Sequence, residues 1–450
     1  MTLDLGKKLI AQKNFKKAKK IFLELYKINN SFEINYNLGV INFELKNIDV
    51  SLSFFKECKK IDPLSINTLL NIANIEQTIG EIKKSLSTYL KILEINDRVI
   101  RAYYGIYLLD PKFLENKHFE IIEKINIDPN SNLIEKFLSD FLMSKFEKNK
   151  KNFDKEIFFL NNSHKKCFES KKQFNLQSQK YYENVITKIF NTDNFINFNK
   201  KKNYFKNFSP IFIIGLPRSG STLAEAILTS SDENIVSFGE SAFINMGIVD
   251  QLPNNIFSNT YNLKEFSFKV DEFEKFIFEK YSQFPSFNEK NITLIDKSLE
   301  NFLNIEFILS IFPNAKFLHC HRNLKDSIIG IYQSLLPDLS WTHSIQDILV
   351  YVDNYLKISK YFKKKYPQKI FEISLENFTR EKENVSKNIF KFCELTWNNK
   401  VLEFYKRKKL DIRTTSSIQI RSEISAYDLN KYSNYFHILK QYENKYDWLN

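Results

Sequence analysis

Apolar positions in the first hundred residues carry two nested periods. Within each stretch they fall at helical spacing, and the stretches themselves repeat. Ile28, Ile61 and Ile95 are 33 and 34 residues apart, and the same offsets relate Phe22, Phe55 and Tyr89, and Ala18, Ser51 and Ser85. A period of about 34, with a small residue four places before an aromatic, predicts a helix-turn-helix repeat. Such units bury their apolar faces only against neighbours, so a short solenoid with a concave face is expected, with Asp62-Pro63 at a break between units. From Pro111 to about Asn199 the helical patterning continues (Leu133, Phe137, Phe141, Leu142) without the clean period.

The pattern changes at Ile211-Phe212-Ile213-Ile214. Four consecutive bulky apolar residues suit a strand buried on both faces of a parallel sheet. The good helix formers Leu223-Ala224-Glu225-Ala226-Ile227-Leu228 then predict a crossover helix. The charged run Asn199-Lys200-Lys201-Lys202-Asn203 marks a linker ahead of that strand. The organisation read from the pattern is helical repeats over 1–110, a helical extension and linker over 111–203, and an α/β domain with a central parallel sheet over 204–450.

Composition narrows the classes. A chain of 450 residues exceeds one ordinary domain, and 43% hydrophobic residues, including 43 Phe and 22 Tyr, provide a large core. Nine Gly and ten Pro leave few helix breakers. The formal charge of +13 suits an anionic partner, although a general abundance of Lys, Asn, Ile and Phe accounts for it more simply. The basic residues are scattered and form no stripe with interleaved aromatics, so nucleic acid is not an expected partner. Cys58, Cys167, Cys320 and Cys393 lie far apart with no CxxC pair, which argues against a zinc site or a disulfide scaffold; no metal is expected. Lys7 and Lys8 interrupt the N-terminus, and no apolar run approaches the roughly 20 residues that cross a bilayer. The expectation is a soluble, cytoplasmic protein with no membrane association.

Between strand and helix stands Gly215-Leu216-Pro217-Arg218-Ser219-Gly220-Ser221-Thr222. Unpaired N–H groups and the positive end of the helix dipole favour an anion there, and Gly215 and Gly220 let the backbone approach it. The spacing is that of the nucleotide-triphosphate loop G-x-x-x-x-G-K-S/T, with Ser221 where the lysine belongs. An ATP or GTP enzyme uses that lysine on the β/γ-phosphates, so a nucleotide kinase is disfavoured. Arg218 with the hydroxyls of Ser219, Ser221 and Thr222 can hold a phosphate or phosphosulfate without a metal.

At these residues the chain resembles the 5′-phosphosulfate loop of sulfotransferases that use 3′-phosphoadenosine-5′-phosphosulfate (PAPS). In particular it is similar to the tyrosylprotein sulfotransferase-like branch, which includes bacterial proteins with tetratricopeptide repeats ahead of the transferase. The resemblance continues through Asp296-Lys297, through Phe312-Pro313-Asn314-Ala315-Lys316-Phe317-Leu318-His319-Cys320-His321-Arg322, and through Arg413-Thr414-Thr415-Ser416-Ser417. It implies an all-α tetratricopeptide-like repeat array followed by an α/β, P-loop-like sulfotransferase domain. It also implies transfer of sulfate from PAPS as co-substrate to an acceptor hydroxyl, with protein tyrosine preferred. A carbohydrate or small-molecule hydroxyl, or a catalytically silent repeat scaffold, are the alternatives. The repeats either hold an acceptor protein or peptide, or serve to stabilise or dimerise the chain.

The resemblance also assigns roles. Arg218, Ser219, Gly220, Ser221 and Thr222 fall on the 5′-phosphosulfate, and Lys297 on the bridging oxygen as the sulfate leaves. Glu240, in Ser237-Phe238-Gly239-Glu240-Ser241, stands where the family's base follows the loop by one helix. The animal tyrosine enzymes carry two adjacent acids there and use the second, which falls on Ser241, so Glu240 is the base or a structural carboxylate. Arg322 matches the 3′-phosphate clamp. The serine that normally follows it by eight residues is replaced by Gly330, so either Ser327 takes over or the clamp is weaker. Leu375 occupies the place of a nucleotide-contacting tyrosine. Ser416 or Ser417 falls near the transferring group and Arg421 on a phosphate, while His319 and His321 match no catalytic position and read as structural.

Overall fold

The computed structural model describes residues 2–186, 204–206, 208–231, 234–253, 268–287, 293–407 and 419–450; the expected linker at 199–203 lies outside them. The chain divides into two compact units. One comprises Met1–Lys151, Glu279–Asn288 and Arg407–Ile418, the other Asn152–Phe278, Glu289–Lys406 and Gln419–Asn450.

In the first unit the sequence period becomes a period of backbone and packing. Three helix hairpins follow one another: α1 (Leu3–Ala11) with α2 (Phe15–Ile28), α3 (Phe32–Glu44) with α4 (Ile48–Ile61), and α5 (Ile66–Thr78) with α6 (Ile82–Ile95). Each turns through a residue of positive φ: Lys13 at 53°, Lys46 at 61° and Gly80 at 85°. The hydroxyls of Ser31 and Ser65 cap α3 and α5 by accepting from the N–H groups of Ile34 and Thr68. The recurring small residue sits where the two helices of a hairpin meet: Ser51 Oγ donates to Gly39 O at 2.7 Å and Ser85 Oγ to Ala73 O at 2.8 Å. The recurring aromatic lies flat on a bare backbone, Phe22 on Gly6, Phe55 on Gly39 and Tyr89 on Gly105. The isoleucines that mark the period end α2, α4 and α6, and Ile28 is 84% exposed, so they keep the register without joining the core. Asp62-Pro63 separates α4 from α5 as the sequence predicted.

Helices α7 (Ile100–Leu109), α8 (Asn116–Ile127) and α9 (Leu133–Asn149) extend the array, and α9 buries Phe137, Phe141 and Leu142. Among the described residues no helix is long and apolar enough to cross a membrane.

The second unit is built on a parallel sheet of β1 (Ser209–Gly215), β2 (Ile235–Ser237), β3 (Thr293–Asp296), β4 (Lys316–His321) and β5 (Ile370–Ser374) in the order β2-β3-β1-β4-β5. The apolar run is the central strand: every residue from Pro210 to Gly215 is buried, and Phe212 lies in register between Asp296 and Phe317. At its end Gly215 has φ 140° and faces Cys320, whose carbonyl oxygen occupies the place a Cβ would need. The crossover helix Ser221–Thr229 buries Ala224, Ala226, Ile227 and Leu228. This fold is the expected one: a helical repeat region followed by an α/β domain with a central parallel sheet.

The last residues return to the same unit as short turns, Gln419–Arg421, Ser433–Tyr442 and Asp447–Leu449. They are pinned by side chains. The N–H of Tyr427 donates to Thr379 Oγ1 at 3.0 Å, Tyr435 Oη donates to the buried Glu156 at 2.6 Å, and Lys325 meets Glu443 at 3.5 Å.

The glycine beneath each ring gives a test of the repeat packing. Gly39→Val places its branched side chain where the Phe55 ring lies, within 2.9 Å of it already at Cβ. The substitution should destabilise the protein by about 1–3 kcal/mol, read as a lowered urea midpoint. Ile28→Ala, at an exposed helix end, should stay within about 0.5 kcal/mol of the parent.

Candidate active site

Each strand hands the chain to a connection at the carboxyl edge of the sheet, where ligands of open α/β sheets bind. The sequence candidates lie just past those ends: Arg218 to Thr222 after β1, Glu240 after β2, Lys297 after β3, Arg322 after β4, and Leu375 after β5.

The loop after β1 bends through Arg218 at φ 67° and Gly220 at φ 88°, and the helix begins at Ser221. The first N–H groups of that helix have no intrahelical acceptor, which suits an anion. Ser219, Ser221 and Thr222 are buried, and Ser219 Oγ donates to Leu216 O at 2.7 Å, which tightens the bend. Leu375 lies on this loop: a Cβ on Gly220 would meet its Cδ1 at 2.8 Å. The leucine in place of a tyrosine is therefore matched to the glycine beneath it.

Lys297 is fully buried, and its Nζ lies 2.6 Å from Glu240 Oε1 and 3.7 Å from Glu225 Oε2. Burial alone would lower its pKa, but the two carboxylates outweigh burial and hold it above its ordinary value, so the ammonium is charged. Glu225, on the crossover helix, is buried and accepts from Ser237 Oγ at 2.5 Å; it stood in the sequence as a mere helix former. The Lys297 N–H donates to Gly239 O at 2.9 Å, which fixes the turn that carries Glu240. Glu240 itself is 54% exposed, so the pair runs from the interior to the surface.

Asp296 and Lys297 are thus far from an exposed pair at a strand end. Asp296 accepts from Ser241 Oγ at 2.7 Å, Ser298 N at 2.8 Å and Asn301 Nδ2 at 3.2 Å. Ser241, which stands where the animal enzymes carry their second acid, is a strut between this loop and β3.

Arg322 is buried, and each of its three nitrogens donates. Nη2 reaches Asp326 O at 2.5 Å, Nε reaches Ser327 Oγ at 3.4 Å, and Nη1 reaches Tyr427 Oη at 3.2 Å. Its guanidinium carbon lies 5.7 Å from the Tyr427 ring centre and 5.2 Å from that of Tyr432. Gly330 leaves the room this requires, because a Cβ there would overlap Arg322 Nη2. The structure brings Ser327 to Arg322 as the sequence suggested, and it adds two tyrosines from about 100 residues downstream that no local pattern marks. Burial would raise the pKa of Tyr432, but Lys431, Arg322 and Arg218 prevail and hold the phenol below its ordinary value.

The turn that carries Arg421 packs on the helix after the loop. Ser416 and Ser417 lie outside the described residues. His319 is enclosed in the sheet, 2.5 Å from Tyr355 Oη, and burial pushes its pKa down to about 4, in keeping with a structural role. Among the described residues no cluster of three or more His, Cys, Asp or Glu side chains is placed to hold a metal ion.

Comparison with known proteins follows this geometry. Residues 210–399 match the model of the Sulfotransferase family, and residues 32–63 match that of a tetratricopeptide repeat. Over 436 residues the chain is 24% identical to a protein of Aquifex aeolicus described as uncharacterized; the match takes in 94% of this chain and 55% of that one. The chain thus spans about half the length of that relative. Among solved structures it is similar to sulfotransferase STF9 from Mycobacterium avium (10% identity, TM-score 0.31, 73% of this chain and 95% of that one). It is likewise similar to sulfotransferase STF1 from Mycobacterium tuberculosis (9% identity, TM-score 0.33, 73% and 98%).

The fit of Arg322 over Gly330 reverses what the family pattern suggests for that position. Gly330→Ser should push the guanidinium away from its partners and destabilise the protein by about 1–3 kcal/mol, read as a lowered urea midpoint.

Proposed function

We propose that the protein transfers a sulfuryl group from PAPS to an acceptor hydroxyl, and that the preferred acceptor is protein tyrosine. The observation that carries the reading is the buried Lys297 ammonium paired with Glu240 beside a phosphate-type loop, at an edge that also presents Arg322. When bound, the co-substrate supplies an activated sulfuryl group on a good leaving phosphate. The transfer forms an S–O bond to the acceptor oxygen and breaks the S–O bond to the phosphate.

In this reading the loop of Arg218 to Thr222 orients the 5′ end. Lys297, held charged by two carboxylates, donates to the bridging oxygen as negative charge collects there. Glu240 reaches the surface with one oxygen on Lys297, and its carboxylate takes the proton from the acceptor hydroxyl. Arg322 with Ser327 receives a 3′-phosphate through a planar fork. Arg421 serves a phosphate. Choice of a tyrosine acceptor rests on the resemblance to the tyrosylprotein branch and on a repeat array that suits an extended polypeptide. The substitutions at Gly330 and Leu375 give no support to a silent scaffold, since each is matched by its neighbours.

Thermal-shift titration tests this directly. The bisphosphate 3′-phosphoadenosine-5′-phosphate should raise the melting temperature while ATP with magnesium should not, because a ligand of the native state stabilises it. Arg218→Ala and Lys297→Met should each abolish transfer of labelled sulfate to a tyrosine peptide and leave the circular dichroism unchanged. Turnover in either variant, or labelling of a glycan but not of the peptide, would revise the assignment.

A further inference from the structure

The C-terminal segment enters the site through Tyr427 and Tyr432, and the bonds these residues make are more than packing. An arginine side chain on the surface samples many rotamers, and its fork discriminates a phosphate only when the plane is fixed. Here the plane is fixed on all sides. Gly330 offers a bare backbone against Nη2, Nε is turned to Ser327, and the Tyr427 and Tyr432 rings lie near the guanidinium. Tyr427 Oη accepts from Nη1 and in turn donates to Asp326 Oδ2 at 2.7 Å, so it is oriented from both ends. Its own backbone is tied to Thr379, and three residues beyond Tyr432 the segment is anchored by Tyr435 on the buried Glu156.

Nε, Nη1 and Nη2 each donate, and the Tyr432 phenol bonds the same guanidinium, so the fork is held in one plane by groups from three parts of the chain. The Tyr432 ring centre lies 5.2 Å from the guanidinium carbon, and the nearby cations Lys431, Arg322 and Arg218 hold its phenol below its ordinary pKa. We propose that Tyr427 and Tyr432 are positioning residues that hold Arg322 for a ligand phosphate and thereby set a preference for a nucleotide carrying a 3′-phosphate. This rests on the sulfotransferase reading above. It ties the segment Gln419–Asn450 to the nucleotide site through its tyrosines as well as through Arg421.

Calorimetric titration of the full chain with 3′-phosphoadenosine-5′-phosphate and with adenosine 5′-phosphate separates the two claims. The parent should prefer the bisphosphate. Tyr427→Phe and Tyr432→Phe each remove one oxygen and keep the ring. Each should lower bisphosphate affinity by about tenfold while leaving the monophosphate unchanged, so that the ratio of the two affinities falls. A parent that prefers the bisphosphate, with both variants keeping the parent's ratio, would overturn the inference and spare the functional reading. An equal loss for both nucleotides would mean that the tyrosines only support the fold, which also overturns it. A parent that binds neither nucleotide would overturn the functional reading and this inference with it.

Discussion

A charged ammonium with no exposure is the constraint around which the carboxyl edge of the sheet is organised. Removing an ion from water costs several kcal/mol unless partners replace the lost hydration. Lys297 is tolerable inside the domain because Glu240 and Glu225 reach it from different connections. That requirement ties three separate pieces of chain together: the turn after β2, the end of β3 and the helix that begins at the anion loop. Ser237 then fixes Glu225, and Asp296 fixes Ser241, so the bonds that neutralise one charge also set the shape of the edge.

How much of this could be read from the sequence follows from the range of each interaction. The strand, bend and helix around Gly215–Thr222 were legible because their residues act on one another within a few positions, and the repeat was legible because the same local packing recurs. Ile28, Ile61 and Ile95 show the limit of that second signal: they kept the count correctly while two of them face solvent. Glu225 could not be recognised, since a glutamate among helix formers looks the same whether it meets water or a buried lysine. Tyr427 and Tyr432 were out of reach for the same reason, because their partner lies about 100 residues away. Gly330 and Leu375 looked like losses when each was read alone. Paired with Arg322 and Gly220 they are fits between two positions, which a single sequence does not display.

The repeat unit follows a different economy of contacts. Its helices meet through small residues and rings laid on glycine, so the spacing of the two helices in a hairpin is set by atoms that are missing. The left-handed turn residues at Lys13, Lys46 and Gly80 keep successive hairpins alike. A regular array of this kind presents the same backbone direction over and over, whereas the α/β unit gathers unlike residues at one edge.

The strand order also distributes resistance to opening. β1, which carries the anion loop, lies at the centre of the sheet with neighbours on both sides, whereas β2, which leads to Glu240, is an edge strand of three residues with a single neighbour. Amide protons in the middle of a sheet exchange through larger openings than those at its margin. The loop with Arg218 is thereby mounted on the better-braced part of the sheet and the exposed Glu240 on the part that opens first, so the two ends of the edge can differ in mobility while Lys297 stays buried between them.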